Sequence, residues 1–466
     1  MSLLNHADNS HVVNTSRVSN VPTDPDNVYL DVIMTNVLGN LTPAVPINYT
    51  ENRTNAIVSN TGDYSVSVVR FSLESQTLPV FIPLIAPNQG NRDLTSYSIT
   101  MKITPVGSPA GTIFTQVQPL IWSPQNVSAL PPPPPNATGT GFQATFNDYY
   151  YSYNFDWLAI RIQQTLEECI SNLDTQLTAG GYTDLNGIYS PTFTFDPTTL
   201  SFVIGANQTA FSVNLPYPNA STPNPNACQL YFNTQLYNIL STFPSVNYGT
   251  SPTITDGANY RILFTDFVGS NLTLVPTLKS TAQPTQQNFI QTFQEFSTIN
   301  NITPVSGIVF TSSQLPIVPN QLSAPQVISE GSSVQALSGN NSNFGLILTD
   351  LESGDLVYKP NLQYNPTAEY RRISMTGSGA LTNIQISVFW RTKLGELIPM
   401  TLAGGSSCTI KLLFTKVSAI YNVGKDSIKD SLIAQQDNGD DDDDSQMSGG
   451  RRRYQRLPLR GGTLRF

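Results

Sequence analysis

The sequence predicts an all-β fold, on three observations. Charged residues make up only 12% of the chain, about half the usual share, and Asn, Thr, Ser, Gln and Pro take their place. Such residues suit strands and turns better than long helices. Apolar and polar residues alternate in several short runs, the period of a half-buried strand, and a helical repeat is clear in one stretch only. At 466 residues with 39% hydrophobic and 10% aromatic, the chain can bury a large core. The expected architecture is a β-sandwich with an inserted, partly helical, β-rich region.

Residues 1–26 are polar and aperiodic and read as an extended arm, which holds His6 and His11, the only histidines. The first strand is VYLDVIMT. Val28, Leu30, Val32 and Met34 alternate with Tyr29, Asp31, Ile33 and Thr35, and both faces are apolar enough for a strand between two layers. In DYSVSVVRFSLE, Tyr64, Val66 and Val68 keep one phase, while Val69, Phe71 and Leu73 keep the other. That change predicts a bulge near Val68, or burial on both sides. Tyr97, Ile99, Met101 and Ile103 mark the next strand.

Residues 124–141 are rich in Pro, Asn and Gly. The run Pro131 to Pro135 favours polyproline II, cannot join a central sheet, and reads as a stiff surface loop. Leu158, Ile162, Leu166 and Ile170 recur every fourth residue, joined by Leu173 and Leu177, and predict a helix. Asn154 or Asp156 caps its start and Gly180-Gly181 ends it. Trp157 and the run Tyr149-Tyr150-Tyr151 at its start are expected in the core. PTFTFDPTTLSFVIG reads as a hairpin, with Phe193 and Phe195 opposite Leu200, Phe202 and Ile204 around Asp196-Pro197.

Further short strands are expected around 260–264, 272–275 and 308–311. In the C-terminal body Ile384, Ile386, Val388 and Trp390 share one face, and Cys408, Ile410, Leu412 and Phe414 another. The strongest alternation lies at the two ends and the Pro-rich break follows Gln125. The expected division is therefore one sandwich from 27–125 and 345–420, an insertion over 126–344, and a disordered tail over 421–466.

The net charge of −9 argues against generic nucleic-acid binding. Cys169, Cys228 and Cys408 are far apart and odd in number, so neither a metal motif nor a disulfide framework is expected, and a reducing compartment is. MSLLNHADNS lacks the basic and apolar regions of a signal peptide, and no apolar run is long enough for a membrane span. With both histidines in the arm, no Ser-His-Asp or Cys-His site is expected inside the fold. No zinc-protease, P-loop or dinucleotide motif stands in context. Glu167 and Glu168 are helix neighbours whose side chains point apart. The expectation is a non-enzyme without cofactor or metal.

The tail reads QQDNGDDDDDSQMSGGRRRYQRLPLRGGTLRF, with six Asp and six Arg from Gln436 to Phe466. Blocks of like charge act as interaction tails. Arg451, Arg452, Arg453, Arg456 and Arg460 are candidates for polyanion contact. Met447-Ser448-Gly449-Gly450 before Arg451, and Leu459-Arg460-Gly461-Gly462 before Thr463, resemble the hydrophobic-x-Gly-Gly sites cut by adenovirus-type maturation cysteine proteases. Gly-Gly has no side chains to keep an extended strand out of a narrow cleft. Gly449, Gly450, Arg451, Gly461, Gly462 and Thr463 are thus candidate processing residues.

The closing block from Tyr370 to Phe414, YRRISMTGSG…NIQISVFWRT…LIPMTL…CTIKLLF, resembles the last strands of a viral jelly roll. With the alternating, charge-poor body and the two tail sites, the chain resembles capsid proteins of the adenovirus, Polinton and virophage lineage over roughly residues 27–420. That resemblance implies a jelly roll, self-assembly, a place in the virion after assembly in the host cytoplasm or nucleus, and no cofactor. It also implies the major capsid protein as a partner and a viral maturation protease acting on the tail, with DNA or an acidic surface as the tail's contact. Within the lineage, major capsid proteins carry two jelly rolls and form trimers, whereas vertex (penton) proteins carry one, often with an insertion, and form pentamers. The helix and Pro-rich middle look like an insertion between early and late strands of one roll, so a penton-like homopentamer is expected. The alternatives are a double-jelly-roll major or other minor capsid protein, and a β-sandwich carbohydrate-binding or attachment module. For the last, Trp122 in LIWSPQ is the aromatic to examine first.

Overall fold

The computed structural model describes residues 25–418, apart from 37–44, 88–89, 128, 135–146, 213, 216–221, 224, 250–254, 265–288, 318–346, 353–360 and 365–371. Eight strands frame the sandwich: β1 Asn27–Thr35, β2 Asn48–Asn52, β3 Tyr64–Glu74, β4 Val305–Thr311, β5 Ile347–Glu352, β6 Asn361–Tyr364, β7 Asn383–Thr392 and β8 Ser407–Lys416. One sheet runs β1-β8-β3-β6, with the short strand Ile373–Ser374 also on β3. The other runs β5-β4-β7, with β2 and the short strand Leu397–Pro399 also on β7. Strands from the two ends of the chain lie side by side: β1 pairs with β8 from Asn27↔Thr415 to Thr35↔Ser407, and β2 pairs with β7 at Tyr49↔Ile386. First beside last, second beside seventh, in two antiparallel sheets, is the eight-stranded jelly roll.

Alternation sets which side chains face inward. Leu30, Val32 and Met34 of β1, Ile410, Leu412 and Phe414 of β8, and Ile384, Ile386, Val388 and Trp390 of β7 share one core. Phe71 of β3 meets Phe310 of β4 across the two sheets, with ring centroids 4.8 Å apart. The phase change in β3 is a bulge. Lys411 pairs with Arg70 and Leu412 with Val68, which leaves Val69 as the extra residue. Val66 and Val68 before it, and Phe71 and Leu73 after it, then all face the core. The first strand departs from expectation. Tyr29 is 54% and Ile33 64% exposed, so only one face of β1 is covered.

Between β3 and β4 the chain builds a second core. A five-stranded sheet holds Ser245–Asn247, Tyr260–Ile262, Gln229–Phe232, Leu94–Ile103 and Phe114–Ile121 in that order; a three-stranded one holds Phe289–Phe293, Ser201–Asn207 and Thr192–Asp196. The helix α1, Phe155–Ala179, packs on both. Its Asn154 cap accepts a hydrogen bond from Trp157 N at 2.8 Å, which satisfies one of the free donors of the first turn. Gly181 beyond its end has φ +83°, the left-handed backbone that glycine adopts without cost. The hairpin pairs Phe193 with Ile204 and Phe195 with Phe202.

The boundaries expected at 125 and 345 do not coincide with the division between the cores. Strands Leu94–Ile103 and Phe114–Ile121, expected in the sandwich, belong to the second core, and β4, expected in the insertion, is a central strand of the sandwich. Alternation shows that a strand has one buried face; it does not say which sheet receives it. The described part of the Pro-rich stretch, up to Pro134, is a loop within the second module. Arg92 Nη1 donates to Pro132 O at 3.0 Å, and Gln125 Oε1 accepts from Tyr153 N at 2.7 Å.

The two cores meet at Tyr149–Tyr153. Tyr150 is buried in the second core and Tyr151, the next residue, in the sandwich core. Tyr150 Oη donates to Arg92 O at 2.9 Å, and the Tyr151 ring stands edge-on to Trp390 at 6.2 Å. Between them and the chain leaving β3 runs a backbone bridge: Val80 N donates to Ser152 O at 2.7 Å and Ser152 N to Phe81 O at 2.9 Å. Removing either ring leaves a cavity, which costs about 3 kcal/mol for a large aromatic. Hydrogen exchange tells the two apart. Tyr151→Ala raises exchange in β7, and Tyr150→Ala raises it in Leu94–Ile103. The same pattern from both variants would contradict two distinct cores.

Candidate assembly surfaces

The side chains that could carry chemistry are engaged in structure. Cys169, Cys228 and Cys408 are free and buried. Burial pushes the Cys169 and Cys408 thiols up to about 12, so neither is a thiolate near neutral pH. Glu167 accepts from Gln163 Nε2 and Glu168 from Gln118 Nε2, both at 2.9 Å. Glu168 belongs to a polar seam that holds α1 against Phe114–Ile121. Asn172 Nδ2 donates to Gln118 Oε1 at 3.1 Å, and Gln176 Nε2 to Gln116 Oε1 at 2.5 Å.

Trp122 is buried and lies 5.8 Å from the Phe81 ring; it is core and offers no open face for a sugar. Trp390 is buried against Tyr151. Trp157 donates to Ser123 O at 3.0 Å, and the Arg161 guanidinium lies 4.5 Å from its ring centroid. Among the described residues no group of three His, Cys, Asp or Glu is placed to hold a metal ion. No helix there is long and apolar enough to cross a membrane.

What the described surface offers is apolar contact. Among the described residues β1 pairs with β8 alone, so there it is an edge of its sheet, and edge strands present unpaired backbone groups. On its outer face Tyr29 and Ile33 flank Asp31, which pairs with Lys411 Nζ at 3.3 Å. The same ammonium lies 5.4 Å from the Tyr29 ring centroid. A second patch lies on the inserted module, where Phe293 and Phe296 are 48% and 71% exposed. Exposed apolar side chains of this kind are suited to contact with another chain.

The residues singled out in the tail, Gly449 to Arg453, Arg456, Arg460 to Gly462 and Thr463, lie outside the described residues, as does the arm to residue 24. The structure does place the points where both segments begin. Lys416 N donates to Asp26 O at 2.8 Å, so arm and tail start side by side at one corner of the sandwich. The outer row of β1 was expected to be buried. Its two-phase apolar pattern is the trace such a surface leaves in a sequence. The Phe296 turn leaves no such trace, because its exposure depends on loops far apart in the chain.

Comparison with known proteins places this geometry. The chain is 31% identical over 160 residues to "Uncharacterized protein V18" of Sputnik virophage, covering 34% of this chain and 89% of that protein. It is 28% identical over 200 residues to "Structural protein V19" of the same virophage, covering 41% and 82%. The fold is similar to a chain in the 3.5 Å cryo-EM structure of the Sputnik virophage, with TM-score 0.63 and 23% identity over 85% of this chain and 99% of that one. The family model for the Sputnik minor capsid protein V18/19 matches residues 28–416, and the chain belongs to that family of virophage capsid proteins.

Proposed function

We propose that the chain is a penton-like vertex subunit that assembles as a homopentamer in an icosahedral shell, with the major capsid protein around it. The observation that carries this reading is, among the described residues, a single eight-stranded roll with a module of its own core between β3 and β4. Vertex proteins of the lineage the sequence resembles carry one roll, whereas major capsid proteins carry two. On this reading residues 27–79 and 303–418 form the shell domain and 80–302 an inserted domain. The exposed outer row of β1 supplies apolar area at a contact between copies. Cyclic assembly repeats one heterologous contact until the ring closes. Native mass measurement of the purified chain gives five copies per particle; trimers, or monomers alone at high concentration, would count against a vertex role.

The tail fits maturation. Before cutting, Arg451 to Arg460 hold a polyanion, either packaged DNA or an acidic capsid surface, by screened attraction. Cutting after Gly450 removes all six Arg of the tail and releases that tether. Cutting after Gly462 removes only the last four residues. Mass spectrometry of protein from mature particles finds a C-terminus at Gly450, at Gly462 or at both. Recovery of intact peptides across both junctions, with no shortened end, rules processing out.

A further inference from the structure

Only two non-glycine residues among those described have left-handed backbone, Leu200 at φ +56° and Thr242 at φ +84°. For a leucine that is uncommon and for a β-branched threonine it is an outlier. Such conformations persist only where the surroundings enforce them. The two lie on different loops, yet both hold one turn, Glu295–Ser297. Thr242 O accepts from Glu295 N at 3.1 Å, and Thr242 Oγ1 donates to Phe296 O at 2.7 Å. Leu200 O accepts from Ser297 Oγ at 2.5 Å. Beneath the turn, Gln294 Nε2 donates to Ser241 O at 3.0 Å, and Gln294 Oε1 accepts from Phe202 N at 2.9 Å. The result is a fixed turn that carries the Phe296 ring into solvent, beside Phe293 at the end of an edge strand. A loop tip fixed in advance loses little freedom when a partner covers it.

Charge says what kind of partner fits. Residues 80–302 hold eleven Asp and Glu against five Lys and Arg, and the sequence has no Lys or Arg between Arg161 and Arg261. Glu295, exposed on the turn, and Asp196, half-buried on the adjoining hairpin, set the local sign. The nearby Lys393 is committed to the carbonyls of Asn300 and Asn301, both at 2.7 Å. A second inserted module would therefore be repelled. A basic segment with apolar side chains would be attracted, and the chain contains one. Residues 451–466, RRRYQRLPLRGGTLRF, carry six Arg, no acid, and Tyr454, Leu457, Leu459, Leu464 and Phe466. Residues 419–450, 32 in number, connect it to the sandwich. That tether spans roughly 30 Å as a coil and about 110 Å when extended, and a linked segment acts at high local concentration.

We propose that the Arg-rich C-terminal segment 451–466 docks on the Phe293–Phe296 turn of the inserted module, its arginines facing Glu295 and Asp196 and its leucines covering the two rings. Arginine also stacks on aromatic faces. The Asp440–Asp444 run competes for the same arginines, but exposed charge pairs alone are weak, and that run has no apolar surface to add. The proposal rests on the reading of the Arg segment as a polyanion contact and names its acidic surface.

The test uses a fluorescent peptide of residues 451–466 and two chains, the full chain and one ending at Ser445, which retains every described residue. The shortened chain binds the peptide. The double variant Phe293→Ser, Phe296→Ser weakens binding by roughly tenfold or more while cooperative unfolding is retained, since neither ring belongs to the buried core. Glu295→Lys, an independent variant, acts in the same direction. A peptide with its arginines kept and its leucines and Phe466 changed to serine also binds roughly tenfold more weakly. The full chain binds the labelled peptide roughly tenfold more weakly than the shortened one, because its own tail occupies the site.

Equal binding by the surface variants, by the serine peptide or by the full chain overturns the docking. If the peptide binds duplex DNA but not the shortened chain, the docking fails and the polyanion reading stands. If it binds neither, both fail.

Discussion

Tyr150 closes the short 3-10 turn Asp148–Tyr150 and Tyr151 leaves it in extended backbone, and that change of direction sends two neighbouring rings into two hydrophobic cores. One ring completes the core of the inserted module, and the next completes the core of the sandwich against Trp390. Ser152, fully buried, carries the backbone bridge to Phe81 that holds the joint closed. The inserted module returns to the sandwich near Val305, where Lys393 of the β7 turn caps the carbonyls of Asn300 and Asn301. The module is thus fastened near both ends of the inserted segment, and surfaces on it keep a fixed relation to the shell domain.

The sandwich is organised by pairing between distant residues. β1 and β8 are nearly the whole described chain apart in sequence, yet they form a nine-residue ladder. Non-local pairing of this kind closes the roll only when both chain ends are present. It also brings arm and tail out at one corner. A shell protein can in this way bring two segments out at one position of its wall. The outer row of β1 lies along the same strand, so the exposed apolar contact and the two emerging segments share an edge of the molecule.

Much of the element pattern could be read from the residues. The Val68–Val69 phase change marked the bulge, the Leu158–Leu177 repeat marked the helix with its Asn154 cap, and the Phe193–Phe202 hairpin followed from its turn. These signals are local: a period, a cap, a turn. Sheet membership is not local, and there the reading failed. Tyr97–Ile103 alternates as cleanly as Ile384–Trp390, yet the two strands belong to different cores. Ile308–Val309–Phe310 is apolar on both sides because β4 is central, and nothing in that run says that it closes the sandwich. The exposed row of Tyr29 and Ile33 was misread for a related reason: an apolar row on the surface has the same composition as a buried one. Of the candidate functional residues, those in the tail were expected from motif and charge and lie outside the described residues. The Phe296 turn was not, because it needs Leu200 and Thr242 brought to it by folding.

On the vertex reading each copy contributes one roll, with its β1 edge against a neighbour and its inserted module fastened at Tyr150-Tyr151. Cryo-EM of assembled particles decides this at the fivefold axes. Five copies are expected there, each with one eight-stranded roll, the outer row Tyr29 and Ile33 covered by an adjacent copy, and one inserted module per roll. Density for two rolls per chain arranged as a trimer, or β1 facing open solvent in the closed shell, would contradict it.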